Sequence, residues 1–204
     1  MNCAAPTLGD FLYRVSLGGF RFGYYRYAVR EIPVGKDLEK VDLKVMDAYG
    51  VTACRMRRLR QRRAGLASVQ YVRFQRSFIL MATDGTHAAF EQIRSVDVRS
   101  APLHFRSYSV GLACGRVSVR VAKEVWCKVV AYQLARALGD LGAVEQRLHE
   151  LSFYRFPGVV AQVNQLAAAI NCKRKQAGLD PISPLPRLPR HRRFSRRSYQ
   201  ISAA

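Results

Sequence analysis

The residues with the clearest chemistry are arginines crowded between positions 55 and 63. Six of these nine residues are arginine, namely Arg55, Arg57, Arg58, Arg60, Arg62 and Arg63. A guanidinium group is permanently charged and carries a fork of N–H donors that matches phosphate oxygens. No Asp or Glu occurs between Asp47 and Asp84, so no acid close in sequence can neutralise the cluster. The spacing therefore predicts a phosphate-binding surface.

A rigid element is predicted to carry these arginines. Residues 52–64 read as a helix with Thr52 as its N-cap. Met56 and Leu59 form a thin apolar stripe, which we expect to dock the helix while the arginines point outwards. The preceding residues 37–49 form a clearer amphipathic helix that holds four of the fourteen acids, so we expect this helix to face away from any nucleic acid.

The composition of the whole chain indicates a polyanionic partner. Among 204 residues, 34 are Lys or Arg and 14 are Asp or Glu, for a formal net charge of +20. Hydrophobic residues make up 49% of the chain, enough for a sizeable core. A charge this large favours nucleic acid as the partner. Tyrosines interleaved with arginines fit RNA or single-stranded DNA slightly better than duplex DNA. Binding through phosphates gives affinity and salt dependence but little sequence choice.

Further candidate binding residues occur in four other places. The strand-like residues 22–32 interleave tyrosine with arginine, which suits either base stacking or a core strand with one wet face. A predicted hairpin around residues 114–115 projects arginines from one face, and a predicted last helix ends in three cations. Beyond it lies a proline- and arginine-rich tail. These candidates are Tyr24, Arg26, Tyr27, Arg116, Arg120, Lys173, Arg174, Lys175, Arg190, Arg192, Arg193, Arg196 and Arg197.

The order of predicted elements indicates an α+β fold. Strands are expected at 22–32 and 69–83, the latter as a hairpin or as one long bulged strand, and further strands extend to residue 121. We expect a single antiparallel or mixed sheet packed with about four to five helices. A ferredoxin-like platform fits this order. The simplest organisation is a weakly ordered lead or edge strand (1–20), one domain (21–178) and an extended basic tail (179–204).

A catalytic alternative depends on three residues. His87 and His104, with nearby acids, could hold a divalent ion, and Tyr132 could attack a phosphate as a nucleophile. A DNA strand-transfer enzyme, such as a replication initiator or a transposase-like endonuclease, uses such parts. The chain has no His-x-His pair, however, and a turn-flanking histidine and a helical tyrosine are equally consistent with purely structural roles. The sequence contains no P-loop motif for nucleotide phosphates and no dinucleotide-binding motif. It also contains no hydrolase, zinc-protease or zinc-deaminase motif.

Cysteine usage and hydropathy bear on the cellular location. The five cysteines are odd in number and scattered, without Cys-x-x-Cys, which favours free thiols in a reducing compartment. We find no long apolar run and no signal-like N-terminus, so we expect a cytoplasmic protein without a membrane partner. We expect no cofactor, with a divalent metal needed only under the catalytic alternative. Protein partners in a ribonucleoprotein or mobile-element complex would fit the basic tail.

Overall fold

The computed structural model describes residues 3–113 and 115–183. Within them lie seven α-helices and seven strands, and the strands form two antiparallel sheets, so the fold is α+β. The predicted single sheet is thus two sheets of four and three strands. The basic tail predicted for 179–204 lies outside the described residues from position 184 onward.

Two compact units divide the chain. Unit 1 comprises Met1–Leu103 and Val110–Val117, and unit 2 comprises His104–Ser109 and Ser118–Ala204. Composition offers no linker between them, because no Pro-, Gly- or Ser-rich stretch separates the two units. A single domain over 21–178 is for that reason the simplest expectation from sequence alone.

Unit 1 begins with helical turns and continues with the larger sheet. A short π-helix at Arg14–Gly19 and a 3-10 turn at Phe20–Phe22 follow the first α-helix. The α-helices are α1 (Leu8–Tyr13), α2 (Leu38–Ala48), α3 (Arg55–Arg63) and α4 (Ala88–Glu91). The strands of this sheet are β1 (Arg26–Glu31), β2 (Val69–Phe74), β3 (Ser77–Ala82) and β4 (Val96–Asp97).

The larger sheet has the strand order β2-β3-β1-β4. Strand β3 pairs antiparallel with both β1 and β2, and β4 pairs antiparallel with β1. Of the two alternatives for residues 69–83, the hairpin is therefore observed, with Phe74 opposite Ser77. Gln75 permits the two-residue turn by adopting a φ of 54°, in the left-handed region that tight hairpins use.

Both faces of the larger sheet are covered. On one face, α2 packs its apolar stripe against a cluster that includes Tyr71, Phe78 and Leu80. On the other face, the N-terminal helical segment contributes Phe11 and Phe20, whose rings lie 6.2 Å from Phe74 and 5.9 Å from Tyr27. Every residue of β3 is buried, as its continuous apolar composition predicts. Residues 8–22 are thus helical and packed, which differs from the weakly ordered lead expected from sequence.

Unit 2 is built mainly from three helices. These are α5 (Lys123–Ala135), α6 (Leu141–His149) and α7 (Pro157–Gln176). Their shared core includes Val144, Leu148, Leu166 and Ile170, with Trp126 packed against it. The smaller sheet has the order β5-β6-β7, and its strands, which carry residues of both units, are β5 (Leu103–Phe105), β6 (Tyr108–Ala113) and β7 (Arg116–Val121).

Candidate nucleic-acid interface

Helix α3 is a defined helix with a well-formed C-terminal end. It ends in a Schellman arrangement, because the N–H of Gly65 donates to the carbonyl of Arg62 and the N–H of Leu66 donates to that of Gln61. Gly65 supplies the positive φ of 73° that this ending needs. The helix starts three residues later than predicted, with Cys54 and not Thr52 at the N-cap. The nearby backbone N–H groups of Arg57 and Met56 lower the pKa of the exposed Cys54 thiol.

The arginines of α3 face solvent. No residue of the helix is buried, and Arg55, Arg57, Arg60, Arg62 and Arg63 are exposed. Arg58 and Arg62 also contact unit 1 itself. Arg58 is half-buried and donates from Nε to the carbonyl of Ala53 at 2.7 Å, and the Arg62 guanidinium lies 5.5 Å from the centre of the Tyr24 ring. None of the six forms a salt bridge with a carboxylate of the described residues.

The apolar residues of α3 also face solvent, contrary to expectation. Met56 is 57% exposed and Leu59 is 42% exposed, so the predicted docking stripe does not dock. The half-buried positions are instead Arg58 and Gln61. Arg58 donates from Nε to the carbonyl of Ala53, so a polar side of the helix meets unit 1.

Backbone contacts hold α3 in place from both sides. Before the helix, buried Val51 donates its N–H to the carbonyl of Met46 in α2 at 2.9 Å. After it, Leu66 forms a parallel bridge with Thr86, and the N–H of Ala67 donates to the carbonyl of Thr86 at 2.8 Å. Helix α3 is therefore anchored on a body that keeps its outward side free.

The aromatic candidates of the first strand are part of the core. Tyr24 is 3% exposed and Tyr27 is 7% exposed, and the Tyr27 hydroxyl donates to the carbonyl of Pro102 at 3.1 Å. Burial raises the pKa of Tyr27. Arg26 is half-buried, with its guanidinium 5.2 Å from the centre of the Phe90 ring. Of the two sequence alternatives, burial favours a core strand, because neither tyrosine ring is open to a base.

The cations predicted along β7 and the last helix have differing environments. Arg116 and Arg120 are exposed on β7, and Lys173 and Lys175 are exposed near the end of α7. Arg174, in contrast, is 3% exposed. It donates to the backbone carbonyls of residues 137, 139 and 180 at 2.6–2.8 Å, so it fastens the end of α7 inside unit 2. The tail candidates Arg190, Arg192, Arg193, Arg196 and Arg197 lie outside the described residues.

The residues of the catalytic alternative occupy separate settings. His87 is the N-cap of α4, where its Nδ1 accepts a hydrogen bond from the N–H of Phe90 at 3.3 Å. His104 is exposed on β5, and Tyr132 is 50% exposed on α5 with the Arg136 guanidinium 3.9 Å from its ring centre. His87 belongs to unit 1, whereas His104 and Tyr132 belong to unit 2.

Asp84 and Asp97, the acids nearest in sequence to His87 and His104, are engaged by an arginine. Arg99 forms salt bridges with Asp84 at 2.8 Å and with Asp97 at 2.6 Å, and its side-chain hydrogen bond lowers the pKa of Asp97. Within residues 3–113 and 115–183, no group of three or more His, Cys, Asp or Glu residues could hold a metal ion. In the same part of the chain, no helix combines the length and the apolar character needed to cross a membrane.

One buried polar cluster in unit 1 was not anticipated from the sequence. Asp42 of α2 is buried and accepts hydrogen bonds from the Tyr71 hydroxyl, from Arg73 Nε at 2.8 Å and from the Cys3 thiol at 3.2 Å. Helix α2 thus buries one of its acids, Asp42. A signal existed, since Asp42 lies four residues after Leu38 and three before Val45 and so falls on the apolar stripe.

Comparisons with known proteins found no match to this chain. No protein-family model matches it, and neither a curated protein nor a solved structure shows detectable similarity. The function therefore has to be inferred from the residues and their geometry.

Proposed function

We propose that this protein binds nucleic acid, with the exposed arginines of α3 contacting phosphates. The observation that carries this proposal is the environment of Arg55, Arg57, Arg60 and Arg63 on the helix surface. All four are exposed on an anchored helix, and none forms a salt bridge with a described carboxylate. Guanidinium groups placed together in this way repel one another unless an anion lies close to them.

A polymeric anion matches this helix better than a small one. Nine residues at about 1.5 Å per residue make α3 roughly 13 Å long, and its six arginines are spread along that whole length. Duplex DNA carries one negative charge per about 1.7 Å of its axis, so several phosphates can lie along the helix together. The formal net charge of +20 supports the same partner at longer range, because it attracts polyanions.

The platform we propose for α3 is ferredoxin-like. The order β1, α2 and α3, β2, β3, α4, β4, with the sheet order β2-β3-β1-β4, supports this assignment. Such platforms host plain nucleic-acid binders as well as enzymes, so the platform itself does not decide the function. Because both faces of the sheet are covered, binding is assigned to α3 and not to the sheet surface.

Unit 2 and the tail are proposed to add phosphate contacts. Arg120, Lys173 and Lys175 are exposed in unit 2, and the tail beyond residue 184 adds five further candidate arginines. Membership of a ribonucleoprotein or mobile-element complex stays a prediction. The strand-transfer alternative is not proposed, since His87 serves as a helix cap and both Asp84 and Asp97 are bound by Arg99.

The test is a binding titration of the full chain over a range of salt concentrations. Labelled RNA, single-stranded DNA and duplex DNA are compared, with polyglutamate and anionic lipid vesicles as polyanion controls. We expect log affinity for nucleic acid to fall linearly with log salt, with a slope of about −0.9 per duplex phosphate contact or −0.7 per single-strand contact. Absence of binding, or equal binding to polyglutamate, would contradict the proposal.

A further inference from the structure

The outward side of α3 combines apolar and cationic side chains. At about 100° per residue, positions 56, 59, 60 and 63 fall within an arc of roughly 100°. This arc presents Met56 and Leu59 together with Arg60 and Arg63, and all four are exposed. We call these four residues the outward face of α3. An ordinary surface helix buries its apolar stripe, so an outward apolar pair flanked by arginines marks a contact surface.

We propose that the outward face of α3 enters the major groove of duplex DNA, where Met56 and Leu59 contact thymine methyl groups. Arg60 and Arg63 contact phosphates or guanine edges beside them. This inference rests on the proposed nucleic-acid binding and names its substrate. It departs from the slight preference for RNA or single-stranded DNA that the interleaved tyrosines indicate.

The shape of α3 fits that groove. The major groove of B-form DNA is about 12 Å wide and admits an α-helix. Helix α3 is roughly 13 Å long and its outward face is exposed, so this side of the helix can enter a groove. Its ends are tied to Met46 and Thr86 through the backbone contacts of Val51 and Ala67, which would present the helix as a rigid rod.

The side chains on the outward face also match groove chemistry. Thymine carries a methyl group in the major groove that apolar side chains contact, and guanine presents two acceptors that arginine reads. Charge complementarity with phosphate favours DNA over an apolar protein partner, because the pair lies on a helix with five exposed arginines. An anionic membrane surface would attract the same arginines, so the experiment includes anionic vesicles.

The two other nucleic-acid classes fit less well. The major groove of A-form RNA is deep and narrow, so a helix cannot enter it to reach bases. Single strands are bound chiefly by stacking on exposed aromatic rings. In unit 1 the tyrosines expected to do this, Tyr24 and Tyr27, are 3% and 7% exposed. The geometry therefore points to a duplex of B form.

The decisive experiment removes the methyl groups from the DNA. Affinity of the full chain is measured at one salt concentration for a duplex containing thymine and for the same duplex with uracil in its place. For the unchanged protein we expect a loss of roughly fourfold for each contacted methyl group. RNA duplex, single-stranded DNA and anionic vesicles are measured alongside.

A matched pair of variants locates the contact. The test variant is M56S/L59S, and the control is V34S/L43S, which alters two other apolar residues of unit 1 that are 92% and 65% exposed. We expect M56S/L59S to bind the thymine and uracil duplexes equally and V34S/L43S to keep the difference. All four residues are exposed, so circular dichroism should show unchanged folding; the comparison on the unchanged protein needs no variant at all.

Each outcome decides between the two claims. Equal affinity of the unchanged protein for both duplexes, or tighter binding of RNA or single-stranded DNA, overturns the groove assignment and leaves nucleic-acid binding standing. A thymine preference that survives in M56S/L59S also overturns it. Failure to bind any nucleic acid, or binding to vesicles alone, overturns both.

Discussion

Arg73 and the arginines of α3 belong to one unit but occupy opposite environments. Arg73 is 8% exposed and binds the carboxylate of Asp42 through Nε and a terminal nitrogen, while its other terminal nitrogen donates to the carbonyl of Gln75 at 2.8 Å. Arg60 and Arg63 on α3 are exposed and form no ion pair with a described residue. Arginine therefore stabilises the fold in one place and is available to bind an anion in the other.

The difference follows from the cost of burying charge. A guanidinium removed from water must recover its hydrogen bonds from protein, so Arg73 needs Asp42 beside it. An exposed guanidinium keeps its water and can exchange it for phosphate at little cost. Arginine count alone therefore says little about binding. Position on the fold decides which arginines are free to bind.

The largest expected effect comes from breaking the buried pair. D42A leaves the charge of Arg73 buried without its partner and removes the acceptor of the Tyr71 hydroxyl. We expect the free energy of unfolding to fall by about 3–5 kcal/mol. Denaturant titration followed by circular dichroism measures this. The control is D47A, which removes an exposed acid from the same helix and should change stability by less than about 0.5 kcal/mol. Similar losses of stability in D42A and D47A would refute the structural role of Asp42.

A smaller effect is expected from loosening the anchor of α3. Gly85 has a φ of 115°, and an added Cβ would lie 2.6 Å from the carbonyl oxygen of Gly65 and 2.9 Å from the N of Ala67. We expect G85A to lower stability by about 1–3 kcal/mol and to weaken nucleic-acid binding as well, because the end of α3 shifts.

Gly35 offers the control for that substitution. Its φ is 88°, but no atom lies within 4 Å of an added Cβ, so G35A carries backbone strain of about 1 kcal/mol without a collision. Binding by G35A should match that of the unchanged protein. If G85A and G35A bind nucleic acid equally well, the contact between residues 65–67 and 85 does not position α3.

Lowering the pH should weaken the buried salt bridge between Asp42 and Arg73. Burial alone would raise the pKa of Asp42, but hydrogen bonds from Arg73, Tyr71 and Cys3 outweigh it and hold the pKa below its usual range. A lowered folded pKa means that this stabilisation is complete above the unfolded value of about 3.9 and is lost as pH falls through the folded pKa. Unfolding free energy measured from pH 6 down to pH 2 should fall more steeply in the unchanged protein than in D42N, which lacks this proton site. Parallel profiles would contradict the linkage.

Much of unit 1 can be predicted from local pattern. The apolar run 78–82 indicates a central strand, and the arginine-rich helix is found within three residues of its expected bounds. Periodicity places Met56 and Leu59 on one side of that helix, but it cannot say which side meets the body. That choice depends on the distant bridge between Leu66 and Thr86, a tertiary contact without a local signal.

Other features depend on partners far apart in the chain. Asp42 is acceptable on an apolar stripe only because Tyr71 and Arg73 reach it from β2, and Cys3 from the N-terminal segment. Likewise, Tyr27 of the first strand packs against Phe20 because residues 8–22 fold over the sheet, and the small, glycine-containing composition of that segment conceals its helices. Stacking residues and core residues look alike in sequence when nothing indicates what covers them.

The most direct test of α3 as the phosphate-binding element compares two variants that each lose four exposed positive charges. The α3 variant is R55Q/R57Q/R60Q/R63Q, and the control is R21Q/K40Q/K44Q/R94Q. For each, affinity for a DNA duplex is measured against salt concentration. We predict that the α3 variant flattens the salt slope by about 2–4 units, near 0.9 for each lost phosphate contact, and that the control changes it by less than half as much. Equal slopes in the two variants would show that only net charge matters, and would contradict the assignment of binding to α3.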